Sequence, residues 1–153
     1  MRFGRWVFAV LFVLVSCSRN DIAGPVPRVP DATGRIAFEI SDRSLSDLAA
    51  GALEITLARI QTDTLVLDVR YGGGCADHAF VLVASSAFAE SFPVQSFMRL
   101  SHDARGDLCK ALVSRQLRAD ISLLRDAYRR SYGADHATIA IQLSGTSTLL
   151  YTF

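Results

Sequence analysis

The residues able to do chemistry gather in two short stretches, Gly72-Gly73-Gly74-Cys75-Ala76-Asp77-His78 and Ser101-His102-Asp103-Ala104-Arg105-Gly106-Asp107-Leu108-Cys109. Three chemistries compete for them. If the chain is exported, Cys75 and Cys109 are most simply a disulfide, and the closed loop of about 35 residues would stabilise by roughly 3.5 to 4 kcal/mol through chain entropy. The second is a zinc site. Cys75 and His78 are spaced Cys-x-x-His, and His102 with Cys109 would complete four ligands, although the gap in that second pair is looser than structural zinc sites use. In the third, His78 and His102 act as general base or metal ligands, with Asp77, Asp103 or Asp107 as orienting carboxylates. Against all three stands a plainer role, histidines hydrogen-bonded to brace turns beside a disulfide. That is the role expected here.

The remaining polar candidates are weaker. Gly72 to Gly74 offer an anion cradle of backbone amides, but no helix pattern or lysine follows as in a phosphate loop, so a strand-ending turn or bulge is expected. Asp103 and Asp107 flank Gly106 and fall short of the six to eight oxygens that calcium takes. Arg105-Gly106-Asp107 spells an adhesion tripeptide that a loop turn explains equally well. No serine sits in a Gly-x-Ser-x-Gly context, so no catalytic residue and no cofactor site is assigned.

The address is clearer than the chemistry. Arg2 and Arg5 precede an apolar run from Trp6 to Val15 that is too short to span a bilayer, and Leu14-Val15-Ser16-Cys17 closes it, as in a secretory signal. Leu14-Val15-Ser16-Cys17 resembles the lipobox of bacterial lipoproteins at all four positions. The resemblance implies cleavage before Cys17, acylation of that thiol and attachment to a membrane through the lipid. Residues 1–16 are therefore read as signal peptide, and 17–34, with Pro25, Pro27 and Pro30, as a lipidated, semi-rigid tether. Ser18 is not the aspartate that retains lipoproteins in many inner membranes, which favours the outer membrane, facing the periplasm.

Removing the first 16 of 153 residues, with Arg2 and Arg5, leaves 14 basic against 15 acidic side chains. A near-neutral chain has no electrostatic reason to bind nucleic acid. From Arg35 onward the pattern is period two: Ile36, Phe38, Ile40; then Leu53, Ile55, Leu57; then Leu65, Leu67, Val69, Tyr71. Further strands are expected at 79–84, 94–100, 110–117, 137–143 and 147–153, with a hairpin turn at Gln61-Thr62-Asp63. Residues 44–52 are ambiguous. Asp120 to Tyr132 reads as a helix, with Asp120 to cap it and Gly133 to stop it. About eight strands and one helix predict a single mainly β domain over 35–153, an antiparallel sandwich or small barrel.

The glycine turn ending Gly-Gly-Cys-x-x-His at Gly73 to His78, then Ser-His-x-x-x-Gly-Asp-x-Cys at 101–109 and a strand leading into a capped helix, resembles a group of uncharacterised bacterial lipoproteins. The resemblance covers about residues 65–143. It implies an envelope location and a Cys75–Cys109 pairing, and nothing catalytic. Two functions follow as expectations. One is a non-catalytic module on a membrane tether that binds a protein, a glycan or a small ligand. The other is a metal-dependent or hydrolytic enzyme built on His78, His102, Asp103 and Asp107. Geometry separates them: an open pocket where the histidines meet a carboxylate favours the enzyme, and burial against backbone favours the module.

Overall fold

The computed structural model describes residues 24–153. The expected signal peptide, the lipobox with Cys17 and the first part of the tether lie outside the described residues. Eight strands and one α-helix follow in order: β1 (Ala37–Ser41), β2 (Leu53–Gln61), β3 (Thr64–Gly73), β4 (Ala79–Ala89), β5 (Val94–Asp103), β6 (Ala111–Asp120), α1 (Ser122–Tyr132), β7 (Thr138–Leu143) and β8 (Leu149–Thr152). A five-stranded sheet runs β1-β4-β5-β7-β8 and faces a three-stranded sheet, β2-β3-β6. The sheets do not close on each other, so the architecture is a sandwich and not a barrel. The ambiguous segment 44–52 contains one 3-10 turn, Leu45–Asp47, capped by Ser44.

The period-two pattern is what fills the gap between the sheets. Leu65, Leu67, Val69 and Tyr71 of β3 face Phe80, Leu82 and Ala84 of β4, and Met98, Ile139, Ile141, Leu117 and Tyr151 complete the core. Each is nearly or wholly buried, and each removes apolar area worth about 25 cal/mol per Å² from water. The larger sheet differs from the antiparallel expectation in one respect. β1 pairs with β4, and β5 with β7, in parallel. Parallel partners need a long crossover. Here β2 and β3 supply the first, and β6 with α1 the second.

Helix α1 begins two residues later than expected because Ile121 is driven fully into the core and its amide donates to the Asp63 carbonyl. Asp120 still serves the helix start, its carboxylate accepting from the Ser122 amide at 2.9 Å. Gly133, at φ 66°, ends the helix by donating to the Arg129 carbonyl. Asp63 ties this end together, accepting from the buried Tyr151 hydroxyl at 2.6 Å and from Arg125.

Part of the span expected as tether is laid against the domain. The Arg28 amide donates to the Phe80 carbonyl at 3.1 Å and its carbonyl accepts from Phe80 at 2.8 Å, while Pro30 is buried. The Gly34 carbonyl accepts from Arg118, and Ile36 donates back to it, bridging the corner between the sheets. Gly34 takes φ +77°, where a Cβ would stand 2.3 Å from the Gln116 carbonyl oxygen, so glycine is needed there for both conformation and space.

Candidate functional site

The β3–β4 turn and the β5–β6 loop emerge at the same end of the sandwich, and Cys75 and Cys109 join them, with Cα atoms 5.9 Å apart. Beside the bridge, Asp107 points its buried carboxylate into the glycine turn. Its Oδ2 accepts from the amides of Gly74, Cys75 and Ala76 at 2.9, 2.9 and 3.0 Å, and its Oδ1 from the Cys109 amide at 2.9 Å. The glycine run ends β3 in a turn, as expected, and the successive amides that follow, from Gly74 to Ala76, cradle an anion that is the chain's own. The Cys109 amide, then those of Ala76 and Cys75, hold the Asp107 carboxyl far below the usual carboxylate range, with burial opposing them. Gly73, at φ +153°, makes room: a Cβ there would lie 2.5 Å from His78 Nε2 and 3.0 Å from Asp107 Oδ2.

From Asp107 the polar chain continues inward. His78 Nε2 stands 3.3 Å from Asp107 Oδ2, and His78 Nδ1 stands 2.8 Å from His102 Nε2. Both imidazoles are 1% exposed, so neither reaches solvent. One assignment of protons serves all contacts: His78 donates from Nε2 to the carboxylate and accepts at Nδ1, and His102 donates from Nε2. That leaves His102 Nδ1 a buried acceptor without a hydrogen-bond partner among the described residues, beside Gly51. Burial, with the neighbouring His78, lowers the His102 pKa, while the Gly51 backbone and Asp103 offset part of this. The rings stack in an aromatic cluster: His102 lies nearly parallel to Phe80 at 4.8 Å, and Tyr71 packs on His78 at 4.6 Å and on His102 at 5.1 Å.

The sequence candidates sort accordingly. His78, His102 and Asp107 converge; Asp103 and Asp77 do not join them. Asp103 is exposed and accepts from the Arg105 amide at 2.8 Å, capping its own turn. Asp77 is exposed on the wall of a cavity of about 590 Å³ over His78 and Tyr71, with Ser114 and Arg115 also lining it. The four-ligand zinc set is not assembled, because the two sulfurs are bonded to each other and His102 turns to His78. Among the described residues, Cys75, Asp107 and Cys109 place ligand atoms within 4.8 Å of one another, with both sulfurs already spent. Asp103 with Asp107 makes no calcium site, since every oxygen of Asp107 is engaged by amide hydrogens. Sequence reasoning overlooked Tyr71 and Phe80 as walls of the histidine cluster and Asp63 as the junction of Tyr151 and Arg125. Period two marks the first pair only as core, and nothing local marks Asp63 beyond its turn.

No protein-family model matches the chain, and no curated protein matches it. Solved structures do. A NigD-like immunity protein from Bacteroides caccae is similar with a TM-score of 0.56 at 14% identity, over 76% of this chain and 57% of the other. A protein of unknown function from Bacteroides vulgatus (TM-score 0.47, 12% identity, 82% and 56% covered) and a candidate lipoprotein from Bacteroides fragilis (0.47, 16%, 78% and 69%) are more distant in shape. The chain spans little more than half the length of the first two. At these identities the likeness is one of fold.

Proposed function

We propose that the chain is a cell-envelope lipoprotein, cleaved before Cys17, acylated there and held on the outer membrane facing the periplasm, whose domain is a non-catalytic binding or structural module. The observation that carries the module reading is the closure of the polar cluster. Asp107, His78 and His102 spend their hydrogen bonds on one another and on the turn amides, and the imidazoles are shut off from solvent. A general base must reach a substrate proton directly or through one water, and a hydrolytic metal needs an open coordination position. Neither demand is met by histidines stacked between Tyr71 and Phe80. The enzyme reading draws support from the convergence of two histidines on a carboxylate, and burial counts against it. The module's partner is a protein, a glycan or a small ligand, and the cavity beside Arg115 is the first place to seek a small ligand.

Two measurements test the reading. Labelling with a palmitate analogue should mark the wild-type protein and not Cys17→Ser, and equal labelling would remove the lipoprotein claim. Metal analysis of protein purified without chelator should show no stoichiometric ion that His102→Ala releases. Finding such an ion would put the metalloenzyme first.

A further inference from the structure

The β4–β5 hairpin ends in a fully exposed phenylalanine, Phe92. Its tip is a built turn: the Ser91 hydroxyl donates to the Pro93 carbonyl at 2.6 Å and accepts from the Gln95 amide group at 3.1 Å. Around its base, Phe88 packs edge-on against Tyr128 and Tyr132, and the Tyr132 hydroxyl donates to Glu90 at 2.8 Å. The last turn of α1 adds Arg129 and Arg130, both exposed. One end of the sandwich thus carries an apolar tip above a collar of tyrosines and arginines.

The same end is where the described chain leads when followed back to Gly24. Arg28 meets Phe80 in an isolated antiparallel bridge and β1 takes that edge of β4 from Val81 onward, so the described segment before Arg28 leaves β4 and lies beside β1, heading toward the hairpin end. Gly24 and Pro25 accordingly lie beside Glu39 to Arg43, and Ile40 and Ser41 stand level with Ala84 and Ser85. Seven peptide steps join Gly24 to Cys17, a reach of at most about 25 Å. From the level of Ala84 the hairpin extends eight residues to Phe92, a rise of up to about 26 Å. The tip therefore projects about as far as the longest possible tether.

We propose that Phe92 is a second membrane contact, seated in the interfacial layer of the phospholipid bilayer that the lipidated Cys17 enters, with Tyr132, Arg129 and Arg130 at headgroup level. This rests on the lipid-anchor reading above. Tyrosine and arginine suit the headgroup level, one end apolar and the other wet, and the wholly apolar Phe92 ring beyond them gains by leaving water for the acyl boundary. A single ring binds a bilayer weakly, but the tether makes the contact intramolecular, at an effective concentration that keeps it populated. The consequence is orientation: the domain stands with its disulfide end facing away from the membrane.

The chain's one tryptophan, Trp6, lies in the segment expected to be removed, so Phe92→Trp gives the processed protein a single tryptophan, at the tip, which is excited selectively at the red edge of the absorption band where the four tyrosines do not absorb. Leu112→Trp, an exposed position at the start of β6 on the disulfide end, is the control. Each processed, envelope-purified variant is reconstituted into phosphatidylethanolamine–phosphatidylglycerol vesicles carrying shallow doxyl lipids and floated on a gradient. The expected result is co-flotation of both, with blue-shifted emission at position 92 quenched at least about twofold more than at 112. Flotation with water-like, unquenched emission at 92 overturns the contact and leaves the anchor standing. Failure to float overturns both. A blue shift seen in native envelopes and absent from pure lipid assigns the tip to a protein partner and likewise overturns the proposal.

Discussion

Replacing both Cys75 and Cys109 by serine should cost about 3.8 kcal/mol while leaving the fold in place. The bridge closes a separation of 34 residues. With n of about 35, the loop-closure entropy is about 2.1 + 1.5R ln n, or roughly 12.7 cal/mol/K, which at 25 °C is about 3.8 kcal/mol removed from the unfolded chain. Unfolding entropy near 2.1 cal/mol/K per residue over roughly 130 folded residues converts that to a fall in Tm of about 14 °C. The native turns should survive, because Asp107 independently holds the amides of Gly74, Cys75, Ala76 and Cys109. Urea unfolding of wild type and double variant, read by near-UV circular dichroism, gives both quantities. A native signal that persists, a lower midpoint and a steeper denaturant slope from a more expanded unfolded state are expected. A loss below about 1 kcal/mol would refute the entropic account. Collapse of the native near-UV signal before unfolding would show that the bridge and not Asp107 holds the turns.

Three further outcomes are expected. Because the folded-state pKa of Asp107 is depressed, its contribution is present above the unfolded value near 3.8 and is lost as pH falls below it; Asp107→Asn should lower Tm at pH 7 and flatten the acid limb of a Tm-against-pH curve. His102 has a lowered pKa, so the unfolded chain takes a proton first as pH drops through about 6.5; wild-type stability should decline from pH 7 toward 5, and His102→Phe, which keeps the stack on Phe80 but not the bond to His78, should cost about 1 kcal/mol at pH 8 and lack that slope. Gly34→Ala should destabilise by at least about 2 kcal/mol in chemical denaturation, since it forces a left-handed alanine onto the Gln116 carbonyl; a neutral effect would mean that the segment before β1 is not part of the folded unit.

The sequence alone sufficed for whatever depends on near neighbours. Alternation through Leu65, Leu67, Val69 and Tyr71 marks a strand because successive side chains point to opposite faces, and Gly133 after a run of helix-spaced residues marks a stop because few other residues adopt its φ. These rules locate the eight strands and the helix, though they end β2 four residues and β4 five residues early. What they cannot convey is which distant segment a group will meet. Asp103 and Asp107 look alike in sequence, yet one caps its own turn and the other reaches across more than thirty residues to the amides of Gly74 to Ala76. His78 and His102 become partners because β4 and β5 pair in a register that sets Phe80 opposite His102. Likewise, Arg28 and Pro30 look like linker from composition, and become part of the domain because the start of β4 offers Arg28 unpaired backbone groups at Phe80. Local periodicity decided the elements, and burial with hydrogen-bond satisfaction over long sequence separations decided which polar residues the fold would close upon.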